Sequence, residues 1–312
     1  MTFRVPAVLL IAFNRPETAR RVFEAIRLAK PERLFLACDG ARPHKAGEQE
    51  SVDQVRALAR QVDWPCDVST RFPETNLGCG RGVSSAIEWF LQEAGEGIIL
   101  EDDCLPTPAF FRFSAVMLDR YRDDARVGLI AGSNMAPLVD LRASYGFSRA
   151  IACWGWATWR RTWDAYELQI APITPDEPWV RHIHPNTVRK LQNAILRIAG
   201  GDVHTWDHQL MVQFLRNNQL TAVPGQNLIL NIGFDGGGTH FSHSGRPWTV
   251  PHKAFNPEGD WSETAEVRPD PDYDRYYLSA GHRGSSKLYR QWLKWRCLLL
   301  RRFDKTKAYL SD

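Results

Sequence analysis

The sequence predicts an α/β fold, a mostly parallel β-sheet flanked by helices. Over residues 1–130, short apolar runs rich in β-formers alternate with longer amphipathic stretches, the pattern of successive βαβ units. Each helical stretch opens beside a turn-forming or capping residue. Several apolar runs end in polar or acidic residues, where a sheet of this kind receives its ligands.

Along the chain, strands are expected at 5–13, 33–38, 66–71, 97–100 and 127–131, and helices at 17–28, 49–61, 81–93 and 108–121. The first apolar run contains Pro6, is too short to span a bilayer and lacks a small-residue cleavage site, so it reads as the opening strand. From Ser144 the alternation gives way to Trp-rich, loop-like sequence. Helices are expected around 185–198 and 208–217, and a strand pair across 219–231. The glycine-rich stretch Gly233-Phe234-Asp235-Gly236-Gly237-Gly238-Thr239-His240 reads as a mobile loop, followed by Pro-rich polar sequence to about Ala280.

The 312 residues suffice for one large α/β domain or two joined halves, and 44% hydrophobic with 24% charged residues excludes a disordered or fibrous chain. A net charge of +3 gives no general nucleic-acid footprint, so nucleic acid is not an expected partner. Six cysteines are scattered without CxxC pairs, as reduced small apolar residues of a cytoplasmic protein would be. The twelve Trp residues are in excess and supply flat apolar faces suited to sugars or to packing.

The acids Glu101-Asp102-Asp103 follow Gly97-Ile98-Ile99-Leu100, a run expected to be a central strand covered on both faces. Carboxylates placed there call for cations. A hard ion such as Mn²⁺ or Mg²⁺ takes one or two carboxylates plus substrate phosphates. An acidic turn or helix start ahead of Pro106 would have the same composition. Asp39-Gly40 also ends a strand, where a carboxylate accepts from a nucleobase or ribose. Asn14-Arg15-Pro16 sets a guanidinium at the end of the first strand, either to pair with phosphate or as an exposed charge at a helix start. Asn76-Leu77-Gly78-Cys79-Gly80-Arg81 is a tight turn before a helix, able to aim backbone N–H groups at a ligand, and it lacks the Gly-Lys-Ser/Thr ending of a P-loop.

These segments resemble the GT-A glycosyltransferases, and more narrowly the inverting N-acetylglucosaminyltransferase I family and related bacterial transferases of polysaccharide gene clusters. Ile11-Ala12-Phe13-Asn14-Arg15 is similar to that family's first strand and nucleotide-contacting arginine, and Cys38-Asp39-Gly40 to its uracil-binding acid. Ile98-Ile99-Leu100-Glu101-Asp102-Asp103 is the most specific match. The resemblance implies Asp103 as the Mn²⁺ ligand, Asp102 on the ribose, and Ala12, Phe13, Arg15, Asp39, Asn76, Arg81 and Glu101 around the nucleotide-sugar. It also implies a wall of the donor sugar from Trp154, Gly155 and Trp156, although Trp156, Trp159 and Trp163 fall at helical spacing and at least two of them are expected in the core. Inversion needs a general base, and Asp207 in Thr205-Trp206-Asp207-His208 stands where similar transferases carry theirs, or as a helix N-cap. His240 belongs to a loop expected to close over the nucleotide, and in many such enzymes a C-terminal histidine ligates the metal.

The implied organisation is a catalytic domain over 1–285, with a nucleotide half at 1–135 and an acceptor half at 136–285 that carries the mobile loop 233–246. A basic helix over 286–312 follows. Leu288, Trp292, Trp295, Leu299 and Phe303 share one of its faces and Lys287, Arg290, Lys294 and Arg301 the other. That pattern fits a helix lying on an anionic membrane surface, or one packed on the domain with its basic face in solvent. The implied activity is transfer of a sugar from a UDP-sugar to a glycan or lipid-linked glycan hydroxyl, in the cytoplasm or on the cytoplasmic face of the inner membrane. A sugar-phosphate nucleotidyltransferase and a catalytically silent sugar- or nucleotide-binding protein of the same fold are the rival readings.

Overall fold

The computed structural model describes residues 4–136, 139, 141, 144–233, 261 and 264–279. The chain opens with β1 (Val8–Ala12), α1 (Pro16–Ala29), β2 (Arg33–Cys38), α2 (Glu48–Arg56), a 3-10 turn over Ala57–Gln61 and β3 (Asp67–Arg71). It continues with α3 (Gly78–Ala94), β4 (Glu96–Glu101), β5 (Cys104–Pro106), α4 (Pro108–Arg120), β6 (Val127–Ala131), β7 (Tyr145–Ser148) and β8 (Trp156–Trp159). The second half adds α5 (Arg160–Trp163), α6 (Pro185–Ala199), α7 (Asp207–Arg216), β9 (Leu220–Pro224), β10 (Ile229–Asn231) and α8 (Pro271–Asp274).

Eight strands form one sheet in the order β3-β2-β1-β4-β8-β6-β9-β7. All run parallel except β8 and β7, which oppose their neighbours. The sheet reverses its winding between β1 and β4, so the crevice beyond their carboxyl ends is the expected ligand position. The strands and helices expected in the first half hold within a few residues, most of them because the run is buried or amphipathic, while β3 is an exposed edge strand. β1 is buried at every position, and α1 buries Ala19, Val22, Phe23 and Ile26 at helical spacing behind Pro16.

Side chains of alternate strand positions enter two cores. One takes Val8, Leu10, Leu36, Ile98 and Leu100 beneath α1, α2 and α4, and the other takes Leu9, Ile11, Phe35 and Ile99 beneath α3, α6 and α7. Gly97 lets the strand and helix close up there, since a Cβ would lie 2.5 Å from both the Ala7 carbonyl and the Phe90 ring.

Two expectations for the second half are corrected. Residues 219–231 do not form a pair of adjacent strands: β9 lies in the large sheet between β6 and β7, whereas β10 pairs with β5. The cause is a buried asparagine pair. The Asn134 backbone N–H donates to Asn227 Oδ1 at 2.6 Å and its Nδ2 donates to the Pro224 and Gly225 carbonyls at 3.1 Å, which turns the chain across the end of β6. Trp156 and Trp159 belong to a strand and not to a helical face; alternation sends Trp156 to one core and Trp159 to the other.

The segment 264–279 returns to the sheet through Asp274, which accepts from Ser148 Oγ at 2.7 Å and from the Arg149 backbone and guanidinium at 3.0 Å. No helix among the described residues is long and apolar enough to cross a membrane. The five described cysteines are all free. His240, the glycine-rich loop beyond Gly233 and the basic stretch 286–303 lie outside the described residues.

Candidate active site

The parallel pairing of Ile11 with Glu101 places the turn after β1 directly beside the acidic triplet after β4. Asp102 is 3% exposed. It receives the Phe13 N–H at 3.3 Å and is joined to Arg15, whose guanidinium also reaches Asp103 Oδ2 at 3.1 Å. The two carboxylates and one cation thereby tie the ends of β1 and β4 together. Arg15 Nη1 is buried without a hydrogen-bond partner, so this guanidinium retains a donor for a further group. Phe13 lies half-buried beneath the Arg42 guanidinium, and Ala12 is buried in the strand behind it.

Burial, reinforced by the negative charges of Asp103, Asp102 and Asp207, pushes the Glu101 carboxyl up to about 8. Burial also raises Asp102, to about 6, with Arg15 opposing the shift. Such an accumulation of carboxylate charge favours a cation. Among the described residues no group of three or more His, Cys, Asp or Glu side chains is placed to hold a metal ion by itself. Asp103 is partly open and Gly233 lies against it, where a Cβ would come within 2.5 Å of Oδ2.

Across the cleft Asp207 opens α7 as its first helical residue; the N-cap position belongs to Trp206. Its Oδ1 receives the Thr205 hydroxyl and, at 2.9 Å, the His208 N–H, while His208 Nδ1 lies 3.1 Å away. Burial pushes this carboxyl up, but His208 and the Thr205 hydroxyl outweigh it and hold it well below the usual carboxylate range. Half of the side-chain surface is nevertheless open to solvent, as at the floor of a concave cleft. The charge of Asp207 is near enough to contribute to the rise of the Glu101 carboxyl.

Other expected site residues take different positions. Asp39, expected to receive a nucleobase N–H, has its oxygens engaged by the backbone amides of Gly40, Leu77 and Gly78 at 2.9–3.0 Å. It anchors the start of α3. Asn76 assists by donating to the Gly40 carbonyl at 2.7 Å, and Gly40 itself has no room for a Cβ, which would meet Thr75 backbone at 2.6 Å. Gly155 and Trp156 do not face a ligand: Gly155 is buried against Leu100 and Ile229, and Trp156 is 1% exposed and stacked on Trp206. Central β8 is covered on both faces, which removes them from the surface. Trp154 is half-buried and remains at the cleft edge, its carbonyl accepting from Ser133 Oγ. Arg81 lines a cavity of about 380 Å³ between α3 and α5.

Glu48 escaped the sequence reading. It accepts from Asn14 Nδ2 at 2.8 Å and from Arg42 Nε and N–H, binding the chain after Asp39 to the turn after β1. Nothing local marks it, because Asn14 is 34 residues away in sequence.

No family model and no curated protein matches this chain. Among solved structures, a UDP-glucose pyrophosphorylase complexed with UDP-glucose aligns at 7% identity over 73% of this chain and 94% of the other, with a TM-score of 0.39. Mouse xyloside xylosyltransferase 1, in its apo form, aligns at 14% identity over 67% and 81%, with a TM-score of 0.34. An apo UDP-glucose pyrophosphorylase aligns at 8% identity over 73% and 93%, with a TM-score of 0.38. Similarities this distant carry no argument about activity, which must come from the residues of the cleft.

Proposed function

We propose that the chain is a metal-dependent inverting glycosyltransferase that moves a sugar, N-acetylglucosamine being the leading candidate, from a UDP-sugar to a hydroxyl of a glycan or lipid-linked glycan. The observation that carries this reading is the arrangement of Arg15 and Asp103 at the sheet's switch point, with the separate carboxylate of Asp207 facing them across the cleft. Arg15, with its spare donor, is placed to pair with a diphosphate. Asp103 would hold Mn²⁺ or Mg²⁺, and the bound ion would supply positive charge to the departing diphosphate.

Asp207 stays ionised at neutral pH, because its carboxyl is held low. It takes the proton of the acceptor hydroxyl as that oxygen bonds to the anomeric carbon and the bond from that carbon to the diphosphate breaks, its electron pair leaving with the nucleotide. Attack from the side opposite the leaving group inverts the configuration. Thr205 and His208 fix the carboxylate's orientation.

Thermal melts with UDP, GDP, CDP and dTDP sugars, each with and without Mn²⁺, test the reading. A UDP-sugar is expected to raise Tm and to do so more strongly with Mn²⁺. Stabilisation by none of the four overturns it.

A further inference from the structure

The cavity between α3 and α5 lies outside the acidic cleft and plays no part in the chemistry above. One wall is a stripe of α3. Arg81, Ser85, Glu88 and Gln92 recur at intervals of four, three and four, which sets them on one face over about 16 Å of helix. The opposite wall carries Arg160, Asp164 and the aromatic pair Trp163–Tyr166, stacked with centroids 4.2 Å apart and planes at 11°.

This lining selects a chemistry. Arg81 and Arg160 balance Glu88 and Asp164, so the cavity offers no net charge to a phosphate or to a strongly charged peptide. Its planar carboxylate, amide and guanidinium groups are suited to paired hydroxyls, and the Ser85 hydroxyl already donates to the Gly82 carbonyl, leaving its oxygen to accept. Trp163 is 6% exposed and stacks on Tyr166, so the partly buried Tyr166 supplies the apolar surface of the kind that C–H faces of sugars cover. The volume of about 380 Å³ lies within the roughly 300–1,000 Å³ of small-ligand sites. The cavity also adjoins the turn that carries Asp207. The Tyr166 hydroxyl donates at 3.1 Å to the carbonyl of Trp206, the residue immediately before Asp207, and the first turn of α3 below Arg81 packs against the 203–205 backbone through Gly80.

We infer that the α3–α5 groove is a binding tract for a neutral oligosaccharide, the body of an acceptor whose reacting hydroxyl lies at Asp207. The assignment of that hydroxyl rests on the glycosyltransferase reading; the saccharide tract does not. A neutral, polar groove edged by Tyr166 and neighbouring the Asp207 turn gives an acceptor length as well as chemistry, so longer glycans are held more tightly than a single sugar.

The full chain is applied to an array of neutral and acidic di- to pentasaccharides, and affinity for the strongest binder is measured for wild type, Ser85→Trp and the double variant Glu88→Ala/Gln92→Ala. Neutral glycans are expected to bind, with affinity lowered at least tenfold by each variant while stabilisation by UDP is unchanged, which also shows that both variants fold. Absence of neutral-glycan binding by a chain that UDP stabilises overturns the tract, as does binding that survives both variants. Groove-dependent glycan binding in a chain that no nucleotide stabilises leaves the tract standing and overturns the donor reading.

Discussion

Asp207 keeps one carboxylate oxygen bound to Thr205 and His208, and no hydrogen bond among the described residues reaches the other. A general base contributes roughly 10²- to 10⁴-fold, so Asp207→Asn should lower kcat by that factor in a coupled UDP-release assay while the UDP-dependent rise in Tm persists. Loss of both would place Asp207 in the fold and not in catalysis. Gly233 makes the complementary point. A methyl group there would overlap Asp103 Oδ2 at 2.5 Å, so residue 233 or the carboxylate must move. Gly233→Ala is expected to abolish the Mn²⁺-dependent part of UDP stabilisation and to leave the ligand-free melt within about 1 kcal/mol of wild type, since neither atom supports the core. An unchanged Mn²⁺ dependence would show that Asp103 is not the ligand.

At the scale of elements, the turn after β1 and the chain after β2 are joined by Glu48. Hydrogen bonds from Arg42 hold its carboxyl down at about 2, burial opposing them and Asn14 assisting. A depressed carboxyl pKa stabilises the fold above the ordinary value near 4.3, and that contribution is lost as pH falls through about 2. Glu48→Gln should therefore cost about 1–3 kcal/mol in urea unfolding at pH 7, with the gap to wild type closing between pH 4 and 2. A gap independent of pH would assign the effect to packing. The same turn shows what sequence could and could not disclose. Buried runs such as residues 8–12 and 96–101 announce their strands because burial on both faces leaves no polar alternation, and the acids beyond them stand out by contrast. Glu48 and the Asn134–Asn227 pair depend on contacts across 34 and 93 residues and carry no local pattern. Asp39 was legible as a strand-end acid, but not its partners, since the two backbone amides of Leu77 and Gly78, delivered by a later turn beside that of Gly40, leave no mark in composition. Four-residue strands such as β8 were hidden for another reason: Trp156 and Trp159 satisfy helical spacing as well as opposite faces of a strand.

The whole molecule is closed by the segment 264–279, which ties the late chain to β7. Asp274 is a single acceptor for three donors, the Ser148 hydroxyl and the Arg149 N–H and guanidinium, and burial pushes its carboxyl up against them. Tyr273 adds a hydroxyl that accepts the Met135 N–H at 2.9 Å. Asp274→Ala strands these donors in the interior and should lower unfolding free energy by about 3 kcal/mol, read as a fall in the urea midpoint at constant slope. A fall in slope instead would mean that this end of the sheet unfolds separately from the rest.

β8 runs against both of its neighbours in a largely parallel sheet, so the chain arrives at the ligand edge through residues 149–155 and departs from it downward. That approach is packed along its length: Ala150, Ile151 and Ala152 are buried, Ser148 and Tyr277 anchor Ala150 and Ile151, and the Trp154 and Gly155 carbonyls accept from Ser133 and Gly132. An insertion there would have to displace core contacts directly beneath the ligand edge of the sheet. What the cleft recognises is therefore open to change by substitution of side chains in this segment, and closed to change in its length.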